Sequence, residues 1–131
     1  MRELKFRVWD KQKEKMFEVM CLYSKDQVEY RDGLSVITLC RRDGDEFSIM
    51  QYTGIKDKNG KEIYEEDVVK IYNEEMEFIG VVKYDDKYGI YMFDIINDEF
   101  NWSMIEVNML NMELEVIGNI YEMGGGINGR G

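Results

Sequence analysis

Polar and apolar residues alternate from the start of the chain. Leu4, Phe6 and Val8 interleave with Lys5, Arg7 and Trp9, the period-two pattern of a half-buried strand. A polar connection from Asp10 to Lys15 leads into the apolar run Met16 to Leu22, which predicts an opening hairpin. After a polar segment, SKDQVEYRDG, the runs Ser35 to Arg41 and Glu46 to Tyr52 flank Arg42-Asp43-Gly44-Asp45. Asp and Gly both tolerate positive φ, so this dipeptide predicts a second hairpin. Four strands are thus expected before Tyr52.

Beyond Tyr52, the runs Val68 to Tyr72, Phe78 to Tyr84 and Ile90 to Ile96 are rich in Val, Ile, Tyr and Phe and predict a three-stranded meander. Gly80, inside the second run, marks a bulge or a close backbone approach. The interval from Asn97 to Met112 carries two signals. Trp102, Ile105 and Met109 fit one helical face, whereas Asn101, Asn108 and Asn111 are poor helix formers; it is read as one short helix. Leu114 to Tyr121 is the last expected strand, with Gly118 placed to bend it. The pattern predicts a mainly β fold of roughly eight short antiparallel strands and at most one short helix. The strands would form an N-terminal β-layer and a C-terminal small barrel-like sheet. The expected organisation is one compact β domain over 1–122, with lobes at about 1–51 and 52–122, followed by a Gly-rich flexible tail at 123–131.

Composition supports a folded domain. The chain has 131 residues, 44% hydrophobic and 13% aromatic, enough to bury a core without cross-links. Cys21 and Cys40 fall in strand-like runs and read as small buried hydrophobes kept reduced. No apolar run has the length of a membrane span, and the opening MRELKFRVWDKQKEK lacks the apolar core of a signal peptide. The expected location is therefore cytoplasmic, without membrane association.

Charge narrows the function classes. The net charge is −10, and it is unevenly placed: Met1 to Gln51 holds ten basic and ten acidic residues, Tyr52 to Gly131 seven basic and seventeen acidic. Phosphate backbones are bound mainly through Lys and Arg, so direct nucleic-acid binding is not expected. The chain has no histidine, which removes the imidazole base of the common nucleophilic triads and the usual zinc ligand.

The densest local signal is YTGIKDKNGKEIYEEDVV, Tyr52 to Val69. Placing Gly60 at the sixth position of a calcium loop puts Asp57 third, Asn59 fifth and Glu66 twelfth. Position one is then Ile55, which has no side-chain oxygen, and the flanks read as strands rather than helices. Glu65, Glu66 and Asp67 are contiguous where a turn is expected, which argues for solvated charge rather than a tuned carboxylate pair. The structural reading makes Asn59-Gly60 the central pair of a two-residue type I′ hairpin. Gly54 supplies a kink where the preceding strand ends, and Glu65 to Asp67 form the next turn. Gly54, Asn59, Gly60 and Asp67 are the expected turn residues.

The run MQYTGIKDKNGKEIYEEDVV (Met50 to Val69), the opening KFRVWDK and the closing ELEVIGNIYE resemble, in order and spacing, the YopX family of phage and prophage proteins. The resemblance implies a mainly β fold and a phage origin, with no established biochemical activity and no catalytic residues to carry over. In that family the turn usually reads Tyr-Glu-Gly-Asp. Glu66 replaces the glycine here, so a left-handed glycine conformation is not strictly required at that position. The family's usual Asn-Pro-Glu-Leu ending is also replaced, which predicts a less well anchored last strand than in relatives.

The function expected from these features is a phage or prophage accessory protein that binds another protein and is not an enzyme. The partner would be a host or phage protein, or a second copy of this chain; no cofactor and no metal is expected. The acidic residues placed to meet a partner are Glu65, Glu66, Glu74, Glu75, Glu77, Asp85 and Asp86. The alternatives are an acidic mimic of nucleic acid that engages a basic host protein, and a metal-dependent enzyme that uses only carboxylates.

Overall fold

The computed structural model describes residues 4–96 and 101–123. Of the expected glycine-rich tail at 123–131, Met123 ends a short helix and the rest lies outside these residues, as do positions 97–100. The described elements are mainly strands: β1 (Phe6–Asp10), β2 (Lys15–Ser24), β3 (Gln27–Asp32), β4 (Ser35–Cys40), β5 (Phe47–Lys56), β6 (Glu62–Tyr64), β7 (Asp67–Tyr72), β8 (Glu77–Asp85), β9 (Ile90–Ile95), β10 (Asn101–Ser103) and β11 (Glu113–Asn119). Helix α1 (Met104–Met109) and helix α2 (Ile120–Met123) are short. The pairings β1–β2, β1–β5, β2–β3, β3–β4, β7–β8, β8–β9, β9–β10 and β7–β11 are antiparallel. The chain forms two compact units that divide between Tyr52 and Thr53.

In the first unit the strands run in the order β4-β3-β2-β1-β5, around a core of Val8, Val28, Tyr30, Leu39 and Phe47. β3 lies in the segment read as polar. Gln27, Glu29 and Arg31 dominate its composition, but Val28 and Tyr30 alternate with them and both are fully buried. Alternation, not mean polarity, decided the outcome. The Tyr30 hydroxyl donates to the Asp10 carboxylate at 2.6 Å, and the Tyr30 ring stacks on Phe17 with centroids 3.9 Å apart.

The predicted Asp43-Gly44 hairpin does not form. β4 pairs with β3, and β5 pairs with β1. Between β4 and β5 the chain makes a single 3₁₀ turn, Arg41–Asp43, ended by Gly44 at φ 87°. Glycine there caps a helical turn rather than joining two paired strands.

In the second unit the sheet order is β10-β9-β8-β7-β11. Its core contains Ile63, Val69, Ile71, Val82, Phe93, Val107 and Leu114. β7, β8 and β9 form the expected meander. The sheet has two edges, β10 and β11, and among the described residues no pairing closes it into a barrel. Gly80 sits where a Cβ would lie 3.3 Å from the Asp94 carbonyl, Ile71 and Phe93, which is the close approach its position suggested.

Among the described residues two short helices form, where at most one was expected. α1 begins at Ser103, whose hydroxyl accepts from the Glu106 amide while the Glu106 carboxylate accepts from the Ser103 amide, a reciprocal cap. The face read from sequence does not pack inward: Ile105 and Met109 are exposed, Trp102 belongs to β10, and Val107 is the buried residue of the helix. The last strand stops at Asn119, short of Tyr121. The Asn119 side-chain oxygen accepts from the Tyr121 and Glu122 amides at 3.0 and 2.9 Å and so starts α2. Gly118 lies at a register shift in β11, and a Cβ there would fall 2.6 Å from the Met123 sulfur.

Candidate functional site

The signature stretch is threaded through the second unit by its buried carboxylates. β5 does not end at Gly54; it continues to Lys56 with Gly54 at φ 87°. The loop to β6 is not a two-residue type I′ turn either. Gly60 has φ 82° but Asn59 is not in the left-handed region, and the Gly60 amide donates to the Asp57 carbonyl at 3.0 Å. The Asp57 amide in turn donates to the Lys61 carbonyl at 2.8 Å. This is a type I turn followed by a left-handed glycine, the three-residue hairpin loop, in which Asp is favoured at the first position.

Asp57 explains that choice. It is buried, and its carboxylate accepts from the amides of Asn59, Lys61 and Val116, each at 2.9 Å. The Lys58 amide also donates to the Leu114 carbonyl at 3.0 Å. The turn therefore covers the backbone edge of β11 with its own donors and acceptors. Burial pushes the Asp57 carboxyl up, but the bonds from Val116, Lys61 and Asn59 outweigh it and hold the group below its ordinary value.

The next turn is pinned in the same way. Asp67 is buried, and its carboxylate accepts from the Tyr64 amide at 2.8 Å; it is not the solvated charge read from sequence. Glu66 adopts φ 71°, so the left-handed conformation is present without glycine. Its amide donates to the Val82 carbonyl at 2.9 Å, its carbonyl accepts from the Ile120 amide at 3.1 Å, and its carboxylate pairs with Lys83 at 2.8 Å.

The seven acidic residues expected to meet a partner are not brought into one patch. Glu74, Glu75 and Glu77 lie at the β7–β8 turn and start of β8; Glu65, Glu66, Asp85 and Asp86 lie at the other end of that strand. β8 has nine residues, so the two groups stand roughly 26 Å apart. Asp85 accepts from the Lys87 amide at 2.9 Å, and Glu77 pairs with Lys70 at 3.5 Å. Glu74, Glu75 and Asp86 are exposed and make no ion pair among the described residues. No three Asp, Glu, Cys or His side chains among the described residues converge as metal ligands.

A groove of about 660 Å³ opens beside Glu74 and Glu75, lined also by Tyr72, Met76, Leu110 and Glu113. The Asn73 carboxamide shapes it, accepting from the Glu75 and Met76 amides at 2.8 and 2.9 Å and donating to the Leu110 carbonyl at 3.2 Å. Lys58 and Lys70 stand over the Tyr72 ring, 5.0 and 4.8 Å from its centre. Leu110 was not singled out from sequence, because the turn that brings it beside Asn73 joins residues 37 apart.

Residues 5–125 match the YopX protein family model. The chain belongs to the YopX family. None of the curated proteins matches it. Among solved structures, protein EF1440 from Enterococcus faecalis is similar to this YopX chain, with 26% identity and a TM-score of 0.63 over 97% of this chain and 99% of that one. The two proteins thus share a mainly β fold. No helix among the described residues is long and apolar enough to cross a membrane.

Proposed function

We propose that this YopX protein is a phage or prophage accessory protein of the bacterial cytoplasm that acts by binding another protein and carries out no catalysis of its own. The observation that carries the reading is the split between two kinds of carboxylate. Asp57 and Asp67 are consumed by backbone amides inside the fold, whereas Glu74, Glu75 and Glu113 surround an open groove that also exposes Met76 and Leu110. A groove with acidic walls and apolar side chains suits a basic, amphipathic segment of a host or phage protein.

Calorimetric titration with a Lys/Leu amphipathic peptide and its Glu/Leu counterpart tests this. The basic peptide is expected to bind, with affinity that falls as salt rises, and Glu74→Lys with Glu75→Lys is expected to abolish that binding. Equal affinity for both peptides, or binding indifferent to the two substitutions, overturns the reading.

A further inference from the structure

The geometry points to β4 as the edge through which two copies of this chain pair, antiparallel and about a two-fold axis at Ile37. β4 is the outer strand of its sheet. Its six residues, Ser35–Cys40, contain no charge and no proline, and Val36, Ile37 and Thr38 are consecutive β-branched residues. Native edge strands are ordinarily blunted by charge, proline, a bulge or a cover. The β11 edge has such a cover in Asp57 and Lys58; the middle of β4 has none among the described contacts. Val36 is 49% exposed, and Leu34, beside it in the turn, is 99% exposed.

The ladder to β3 fixes which backbone groups point outward. The Arg41 amide donates inward to the Asp26 carbonyl, so the hydrogen-bonded positions alternate back through Leu39, Ile37 and Ser35. Cys40 accordingly points outward, where its amide donates to the Asp45 carboxylate and its carbonyl accepts from the Asp45 amide. The free outward N–H and C=O groups are those of Val36 and Thr38.

These two residues select one register. With Ile37 opposite Ile37 of a second copy, Val36 faces Thr38 of that copy and the reverse, and each facing pair exchanges two backbone bonds. Further out, Ser35 and Leu39 face each other, with no charge on either strand. Centring the axis on Val36 instead sets Thr38 against position 34, which lies in the β3–β4 turn, so only the Val36 pair exchanges bonds. Centring it on Thr38 requires the backbone of Cys40, which Asp45 already holds. The first 51 residues are neutral in balance, ten basic against ten acidic, so the acidity of the chain does not oppose contact at this edge. An isologous two-fold contact of this kind closes on itself and stops at a dimer.

Sedimentation equilibrium of the full chain over a wide concentration range tests the proposal. The native protein is expected to be a dimer. Thr38→Pro removes an outward donor without touching a β3 bond, and Val36→Lys places a charge on the edge; each is expected to yield a folded monomer, with circular dichroism verifying the fold. Ile37→Cys, with Cys21→Ser and Cys40→Ser, adds a register test, since the axis sets position 37 opposite itself at a non-hydrogen-bonded pair. Under oxidation it is expected to give a covalent dimer that disappears when Thr38→Pro is added. A strict monomer at all concentrations overturns the inference. So does a dimer indifferent to both edge variants, or an Ile37→Cys protein that does not cross-link.

Discussion

The carboxylates of Asp57 and Asp67 turn inward, whereas those of Glu74 and Glu75 stay in solvent. Their segments both join strands of one unit and both are dense in acids. The difference lies in what surrounds the backbone. The 57–67 loops run against β11 and β8, and receive amides from Val116, Lys61, Asn59 and Tyr64. The 73–77 turn satisfies its own amides with the Asn73 side chain, so Glu74 and Glu75 have no structural work to do. Buried amides therefore decide whether an acid is a structural fastener or available charge.

The strongest way to break this comparison is Asp57→Ala. It leaves the Val116 amide without its acceptor and removes two bonds from the turn. The expected cost is about 2–4 kcal/mol in urea unfolding. Asp57→Asn, which keeps an acceptor oxygen, should cost less. A loss no larger than that at an exposed acid would mean that the buried and exposed carboxylates do not differ.

Acid unfolding tests the same contrast through charge. Backbone donors, working against burial, hold Asp57 below its ordinary 3.8. For Asp10, burial raises the group, but the bonds from Tyr30, Gln12 and Lys13 outweigh it, again with a net lowering from 3.8. A lowered native value means that the unfolded chain takes up the proton first. The stabilisation is therefore complete above 3.8 and is lost as pH falls through the native values. Thermal midpoints below that pH should fall less steeply in Asp57→Asn than in the native chain. Parallel curves would show that Asp57 contributes nothing to acid sensitivity.

A smaller effect is expected at Glu66, which stands between the two classes: its backbone is fixed, yet its carboxylate is paired at the surface with Lys83. Its left-handed backbone costs roughly 1–2 kcal/mol relative to glycine, and the ion pair returns about 0.5 kcal/mol. Glu66→Gly should thus stabilise by about 0.5–1.5 kcal/mol, and Glu66→Ala, which keeps the strain and loses the pair, should destabilise by about 0.5 kcal/mol. Denaturant midpoints in the order Gly, Glu, Ala check this; the reverse order for Gly and Glu would mean that the pair outweighs the backbone.

The β meander was legible because Val, Ile, Tyr and Phe cluster between clear turns from Val68 to Ile95. β3 was not, because outward Gln27, Glu29 and Arg31 hide the alternation of Val28 and Tyr30. The role of Asp57 was hidden for a different reason. Its decisive partner, Val116, lies 59 residues away, and local turn chemistry assigned the loop to Asn59-Gly60 instead. The acids of the groove were legible as exposed charge at Glu74 and Glu75, but their division from Asp85 and Asp86 depends on the length of β8, which places the two turns at opposite ends of one strand.

The smallest effect on stability, and the sharpest test of availability, belongs to Glu74 and Glu75. Both are exposed and without an ion pair among the described residues, so Glu74→Gln with Glu75→Gln should leave unfolding within about 0.5 kcal/mol of the native chain. Asn73→Ala, by contrast, removes the acceptor for two amides and should cost about 1 kcal/mol. If the paired glutamines leave the urea midpoint unchanged while binding of a basic peptide weakens, charge in this turn is separable from the fold. If instead they destabilise the chain as much as Asn73→Ala does, the acids of the 73–77 turn are structural after all, and the contrast with Asp57 and Asp67 collapses.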